Sequence, residues 1–224
     1  MSTLKEIVYS VRELLKQYAS TDDITNEYIA YLIKNARALL LEQRYTSRSN
    51  IIPNIARQSF YMDLELAEGN EIVDGIGTIL RTKDPIQTPL EPFNIKNNIR
   101  INGGSYTDTY FSLVGMERLP FVGNCKWVQN QIYYSIGTDF RLYFVSSNPS
   151  VKLLENIKLS MVCTDPEAAY PYTIGYNSSV DFWDTQYPLE ENMITLIRDM
   201  IVKSLVNMLQ MHEDKLNDSN NDSN

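Results

Sequence analysis

Acid–base and nucleophilic chemistry would have to start from very few residues in this chain. There is one histidine, His212, beside Glu213 and Asp214 near the end of an apolar-periodic segment. A general base or a metal ligand needs partners within hydrogen-bond reach, and a lone histidine at a helix end reads as an exposed polar residue. Ser-His-Asp and Cys-His catalysis would both have to use it, and no G-x-S-x-G elbow occurs. Two cysteines, Cys125 and Cys163, fall short of the four ligands of structural zinc. They read as thiols of a reducing cytosol, with a disulfide between them as the alternative. Gly69 to Gly77 (GNEIVDGIG) matches neither G-x-G-x-x-G nor G-x-x-x-x-G-K and precedes a strand-like run, so it reads as a turn. No catalytic residue, metal ligand or cofactor is expected.

Carboxylates are the remaining reactive groups. Asp63 with Glu65, Asp181 with Asp184, and Glu190 with Glu191 could supply the two acids of a glycosidase. Neighbours in sequence do not by themselves make a pair across a cleft, and solvated-surface or helix-start roles account for them. The segment Asp181–Tyr187, with Phe182, Trp183 and Tyr187, has the composition of a sugar platform. It reads instead as an aromatic lead-in to the last helix.

Composition bounds what these residues can belong to. Of 224 residues, 43% are apolar and 21% charged, enough to bury a real core and too apolar for wholesale disorder. Net charge is −8, from 20 basic and 28 acidic residues. A duplex-binding face announces itself as a basic patch. The densest basic stretch, Arg37 to Arg48, holds three arginines and one glutamate, so no direct grip on phosphate is expected. The first residues lack an apolar h-region and no apolar run is long enough to span a bilayer, so neither a signal peptide nor a membrane helix is expected. The sequon-like triplets at Asn177, Asn217 and Asn221 then carry no meaning.

The elements follow from periodicity. Residues 3–18 read as an amphipathic helix with Leu4, Ile7, Val8, Val11, Leu14, Leu15 and Tyr18 on one face. Thr3 and Glu6 have capping-box spacing. After the polar break Ala19–Asp23, a second helix runs to about Gln43 with the stripe Ile24, Tyr28, Tyr31, Leu32, Ala36, Leu39 and Leu40. Arg37 and Arg44 suit its C-terminal dipole. A short connection predicts a helical hairpin.

From Ile55 to Val162 short β-branched and aromatic runs alternate with Gly, Pro and Asn. Residues 72–80, 118–122, 131–136, 140–145 and 157–162 read as strands, with a hairpin turn at Gly137–Asp139. Asn94 to Thr109 reads as a long loop or exposed hairpin around Gly103-Gly104. Asp165-Pro166 marks a short helix start, and Pro188 with Glu190 and Glu191 opens a long last helix. Its stripe, from Leu189 through Met193, Ile194, Leu196, Ile197 and Met200 to Leu209, is wide enough to need cover on more than one side.

These observations predict an α+β fold: an N-terminal helical hairpin over 1–45, a β-rich antiparallel sheet or sandwich over 55–187, a C-terminal helix over 188–212 and a disordered polar tail over 213–224. The 15 tyrosines and the Met-rich last helix have two readings, a core with polar ring tips or an extended subunit interface.

The order and character of these segments resemble the ring or adaptor proteins at the portal vertex of short-tailed phages, particularly the crAss-like phages of gut Bacteroidales. The likeness lies in LKEIVYSVRELLKQY…ITNEYIAYLIKNARALLLEQR, TILRTKDPI (Thr78–Ile86), ERLPFVG (Glu117–Gly123), VCTDPEAA (Val162–Ala169) and YPLEENMITLIRDMIVKSLVNML (Tyr187–Leu209). It covers most of the chain and rests on segment order, not on a diagnostic motif. The resemblance implies a structural, non-enzymatic virion protein made in the bacterial host cytoplasm. It implies a ring, commonly of twelve copies, joining the portal protein to the next tail or ring protein, with DNA passing through unbound and no membrane involved. The residues expected to meet other subunits are Ile7, Val11, Tyr28, Leu32, Met193, Ile197, Met200 and Ile201 on the terminal helices. The loop at Asn102, Gly103 and Gly104 is expected to reach another protein. A small-ligand, peptide- or carbohydrate-binding α+β module without catalysis is the alternative.

Overall fold

The computed structural model describes residues 2–18, 24–45, 52–68, 78–90, 99–103, 111–122 and 131–218. It divides into two compact units. One comprises residues 1–50 and 177–224, the other residues 51–176.

The first unit is helical. Helix α1 spans Leu4–Leu15, and its N-cap Thr3 closes the expected capping box. The Thr3 hydroxyl accepts from Glu6 N at 3.2 Å and the Glu6 carboxylate accepts from Thr3 N at 2.9 Å. Leu4, Ile7, Val8, Val11 and Leu15 are buried, each burial contributing about 1.5–3 kcal/mol. Helix α2 spans Asn26–Tyr45. Arg12, in the last turn of α1, donates to the Asn26 side chain at 2.7 Å and to the Ile24 carbonyl at 3.2 Å, tying the end of α1 to the start of α2. The last helix of the chain, α4, spans Glu191–Asp218 and packs on both α1 and α2.

Two expectations for α4 change. Pro188 lies before the helix and not at its first position. Its carbonyl accepts from the buried Arg37 Nε at 3.2 Å, and the first intrahelical bond is accepted by Glu190 O from Ile194 N. The helix also continues past residue 212 to Asp218, because Glu213, Lys215 and Leu216 favour helix even where no apolar stripe remains. Residues 219–224 of the expected tail lie outside the described residues.

The second unit is built on a seven-stranded sheet of order β3-β7-β1-β2-β6-β5-β4. The strands are β1 Gln58–Glu68, β2 Thr78–Thr82, β3 Arg100–Gly103, β4 Phe111–Leu113, β5 Ile132–Ile136, β6 Leu142–Val145 and β7 Asn156–Met161. The expected antiparallel sheet is in fact mixed. Five of the six pairs are antiparallel, and β4 runs parallel to β5. The intervening segment from Val114 to Gln131 is long enough for the parallel return, which a hairpin cannot make.

The main core lies on one face, around Phe60, Leu80, Ile132, Phe144, Leu159 and Met161. On the opposite face a smaller cluster of Ile79, Leu119 and Tyr143 is covered by the turn Met116–Phe121. That turn replaces the strand expected at 118–122. Pro120 has no N–H to give a ladder, and Arg118 N instead bonds back to Gly115 O at 2.9 Å. The short helix α3, Pro166–Ala169, starts as read, with Asp165 capping Glu167 N and Ala168 N.

Candidate subunit interface

The surface that distinguishes this chain is on the helices. In α2 the buried side chains are Ile29, Ala30, Ile33, Arg37 and Leu41. These recur at three-and-four spacing and form the inward face. The stripe read from the sequence is a different one. Tyr28 (41% exposed), Tyr31 (58%) and Leu39 (45%) point outward, with Leu32 half-buried between them and Asn35 exposed. So α2 is apolar on two faces, and its core uses only one.

Helix α4 repeats the arrangement less strongly. Met193, Ile194, Ile197, Ile201 and Leu205 are buried, while Leu196, Met200 and Met208 are exposed. A surface helix normally carries one apolar stripe opposite a charged face. The outer face of α2 carries Tyr28, Tyr31, Leu32, Asn35 and Leu39, and the half-buried Glu42 continues the same spacing at its C-terminal end, on a chain of net charge −8. Tyr and Met are the residue types that interfaces enrich.

Of the residues expected to meet other subunits, Ile7, Val11, Met193, Ile197 and Ile201 are covered within the chain itself. Tyr28 and Met200 are exposed, and Leu32 is half-buried. Asn102 is exposed on edge strand β3, Gly103 ends that strand, and Gly104 lies outside the described residues.

The carboxylates singled out in the sequence have structural work. Asp184 pairs with Lys5 at 3.0 Å, and that hydrogen bond, ahead of the pair's Coulomb attraction, raises the Lys5 ammonium above its ordinary range. Asp181 caps Trp183 N, and Phe182 stacks edge-on to Tyr187 at 6.3 Å. Glu190 pairs with Arg44 at 3.0 Å, and Ser2 donates to Glu191 at 2.8 Å. Glu65 takes Arg81 at 2.7 Å. Asp63 faces a cleft, together with Asp84.

In the sheet unit, burial first and Arg100 second pull the Arg57 guanidinium down to about 10, so it stays a cation at neutral pH. Among the described residues no group of three His, Cys, Asp or Glu could hold a metal ion, and no helix is long and apolar enough to cross a membrane. Cys163 is buried. Cys125 and Gly69–Gly77 lie outside the described residues, as does the side chain of His212.

A small α+β subunit whose helices keep exposed apolar side chains on a second face has the surface of a protein that works as a part of an assembly. The chain belongs to the phage tail ring protein 2 family, whose match covers residues 6–223. It is also similar to "Ring protein 2" of Bacteroides phage crAss001, at 28% identity over 209 residues, 91% of this chain and 90% of that protein. It is therefore a structural component of a phage tail.

Proposed function

We propose that the chain is a non-enzymatic ring subunit at the portal vertex, joining the portal to the tail and lining the channel through which DNA leaves. The observation that carries this reading is the outer face of α2. A head-to-tail contact between identical subunits closes a ring when its rotation closes, commonly at twelve copies to match the portal. An apolar contact avoids desolvating the charges of a chain carrying −8, and Tyr28, Tyr31, Leu32 and Leu39 supply one. Met200 and Leu196 on α4 extend the same kind of surface. The core residues Ile7, Val11, Met193, Ile197 and Ile201 hold the helices that present these faces. Asn102, Gly103 and Gly104 are the proposed reach toward the next ring. Net acidity lets DNA slide without the counterion-releasing contacts that basic residues make.

The test is a charge placed on the outer face. Tyr28→Glu with Leu39→Glu is expected to leave helical content and melting unchanged within a few degrees and to abolish rings in negative-stain images. Rings that persist in that variant would overturn α2 as the contact.

A further inference from the structure

Strand β1 is paired on both sides along only part of its length. Residues 58–63 pair with β7, and pairing with β2 begins only at Leu64. Alternate residues of an antiparallel strand turn their backbone groups to opposite sides. Leu64 N donates to Glu155 O at 2.8 Å, so even positions face the β7 side. Ser59, Tyr61 and Asp63 therefore face the other way. There the Ser59 carbonyl accepts from Ile174 N at 2.7 Å and the Asp63 carbonyl accepts from Lys83 N at 2.9 Å. Between these two bonds the N–H and C=O of Tyr61 meet no partner among the described residues.

A cleft of about 340 Å³ opens at this place, lined by Tyr61, Asp63, Asp84, Gln87 and Tyr172. Tyr61 and Tyr172 are 66% and 65% exposed. Asp63 and Asp84 are exposed and have no ion-pair partner among the described residues.

We propose that this cleft takes an extended peptide segment of a neighbouring protein, added as a short strand on Tyr61, with a lysine or arginine held by Asp63 and Asp84. An open N–H and C=O pair on one residue of a strand is what an added strand uses for its two ladder bonds. The two carboxylates supply charge complementarity, and tyrosine faces attract a cation within about 6 Å. The volume sits at the lower end of the roughly 300–1,000 Å³ of ligand pockets, which limits the occupant to a short stretch of chain. A saccharide would use the rings and carboxylates but would leave the open Tyr61 backbone unexplained. The inference stands on the sheet unit alone and not on the ring reading.

The probe is dye-labelled acetyl-Val-Thr-Lys-Thr-Val-amide, titrated by fluorescence anisotropy with the full chain. Saturable binding is expected, with slowed hydrogen exchange at the Tyr61 amide. Replacing the peptide lysine by glutamate, or N-methylating the peptide backbone, is expected to weaken binding at least tenfold. Asp63→Asn with Asp84→Asn, both at exposed positions, should weaken it by about the same factor. An N-methylated peptide that binds as well as its parent overturns the added strand. So does an unchanged Tyr61 amide, or no binding at roughly 1 mM peptide, the weak end of measurable affinity. Ring formation has its own readout in particle mass, so failure of either reading leaves the other standing.

Discussion

Tyr134 shows how a single side chain in the sheet core links burial to pH. It is 3% exposed on β5, and burial pushes its phenol up to about 12, against about 10 in the unfolded chain. Below pH 10 both states are neutral and the full benefit of the buried neutral ring is present. Between about 10 and 12 the unfolded chain loses its proton first, so stability falls as pH rises. The stability difference between wild type and Tyr134→Phe is expected to shrink or reverse by roughly 2–3 kcal/mol across that window. Urea unfolding at pH 9 and pH 11.5 checks it, and a pH-independent difference would contradict it.

Phe140 makes a second case at this scale. It holds φ at 58°, a left-handed conformation costing a non-glycine residue about 1–2 kcal/mol. The Gly137–Asp139 turn is present in the sequence, but the residue that takes positive φ is the phenylalanine after it. Its carbonyl accepts from Ile86 N at 2.7 Å, and that bond keeps the backbone there. Phe140→Asn retains the bond and is expected to raise stability by about 0.5–1 kcal/mol, read as a higher urea midpoint. The structural fate of the carboxylates was only half legible. Arg37 and Arg44 read as dipole partners for α2, yet their donors go to Pro188 O and Glu190 across long sequence separations. No local pattern encodes such separations. Arg37→Leu should cost about 1–3 kcal/mol through the orphaned carbonyl, measurable as a lower melting midpoint.

Elements with a local signal were legible from the sequence. The box at Thr3 and Glu6, the Asp165-Pro166 start and the β5–β6 hairpin all depend on residues within a few positions of one another. Strand β1 was missed although Phe60, Met62, Leu64 and Leu66 alternate with Tyr61, Asp63 and Glu65. Its Met, Leu, Glu and Ala content favours helix, and only long-range pairing with β2 and β7 decides against it. Strand β3 hid inside a polar stretch in which Ile99 and Ile101 alone mark the buried side.

For α2 the sequence displays two stripes, and periodicity alone cannot say which one faces the core. Packing with α1 and α4 selects Ile29, Ile33 and Leu41, which leaves the tyrosine stripe exposed. The two stripes should respond oppositely to substitution. Ile33→Ala should cost about 2–5 kcal/mol of folding stability. Leu39→Ala should cost under about 0.5 kcal/mol and weaken self-association.

At the scale of the whole molecule, two compact units divide the work. The helical unit carries exposed apolar side chains on α2 and α4, and the sheet unit carries short edge strands and a cleft beside β1. Membership of the ring protein family was legible from segment order, whereas the division of the helix stripes into core and surface was not. Burial within the chain claims five of the eight helix residues first expected to touch a neighbour. The central claim is assembly, and native mass spectrometry of the purified chain, alone and with its portal protein, tests it most directly. A closed species near twelve subunits is expected, formed alone or on the portal and lost in Tyr28→Glu with Leu39→Glu. A chain that stays monomeric in both conditions and ignores the portal would contradict it.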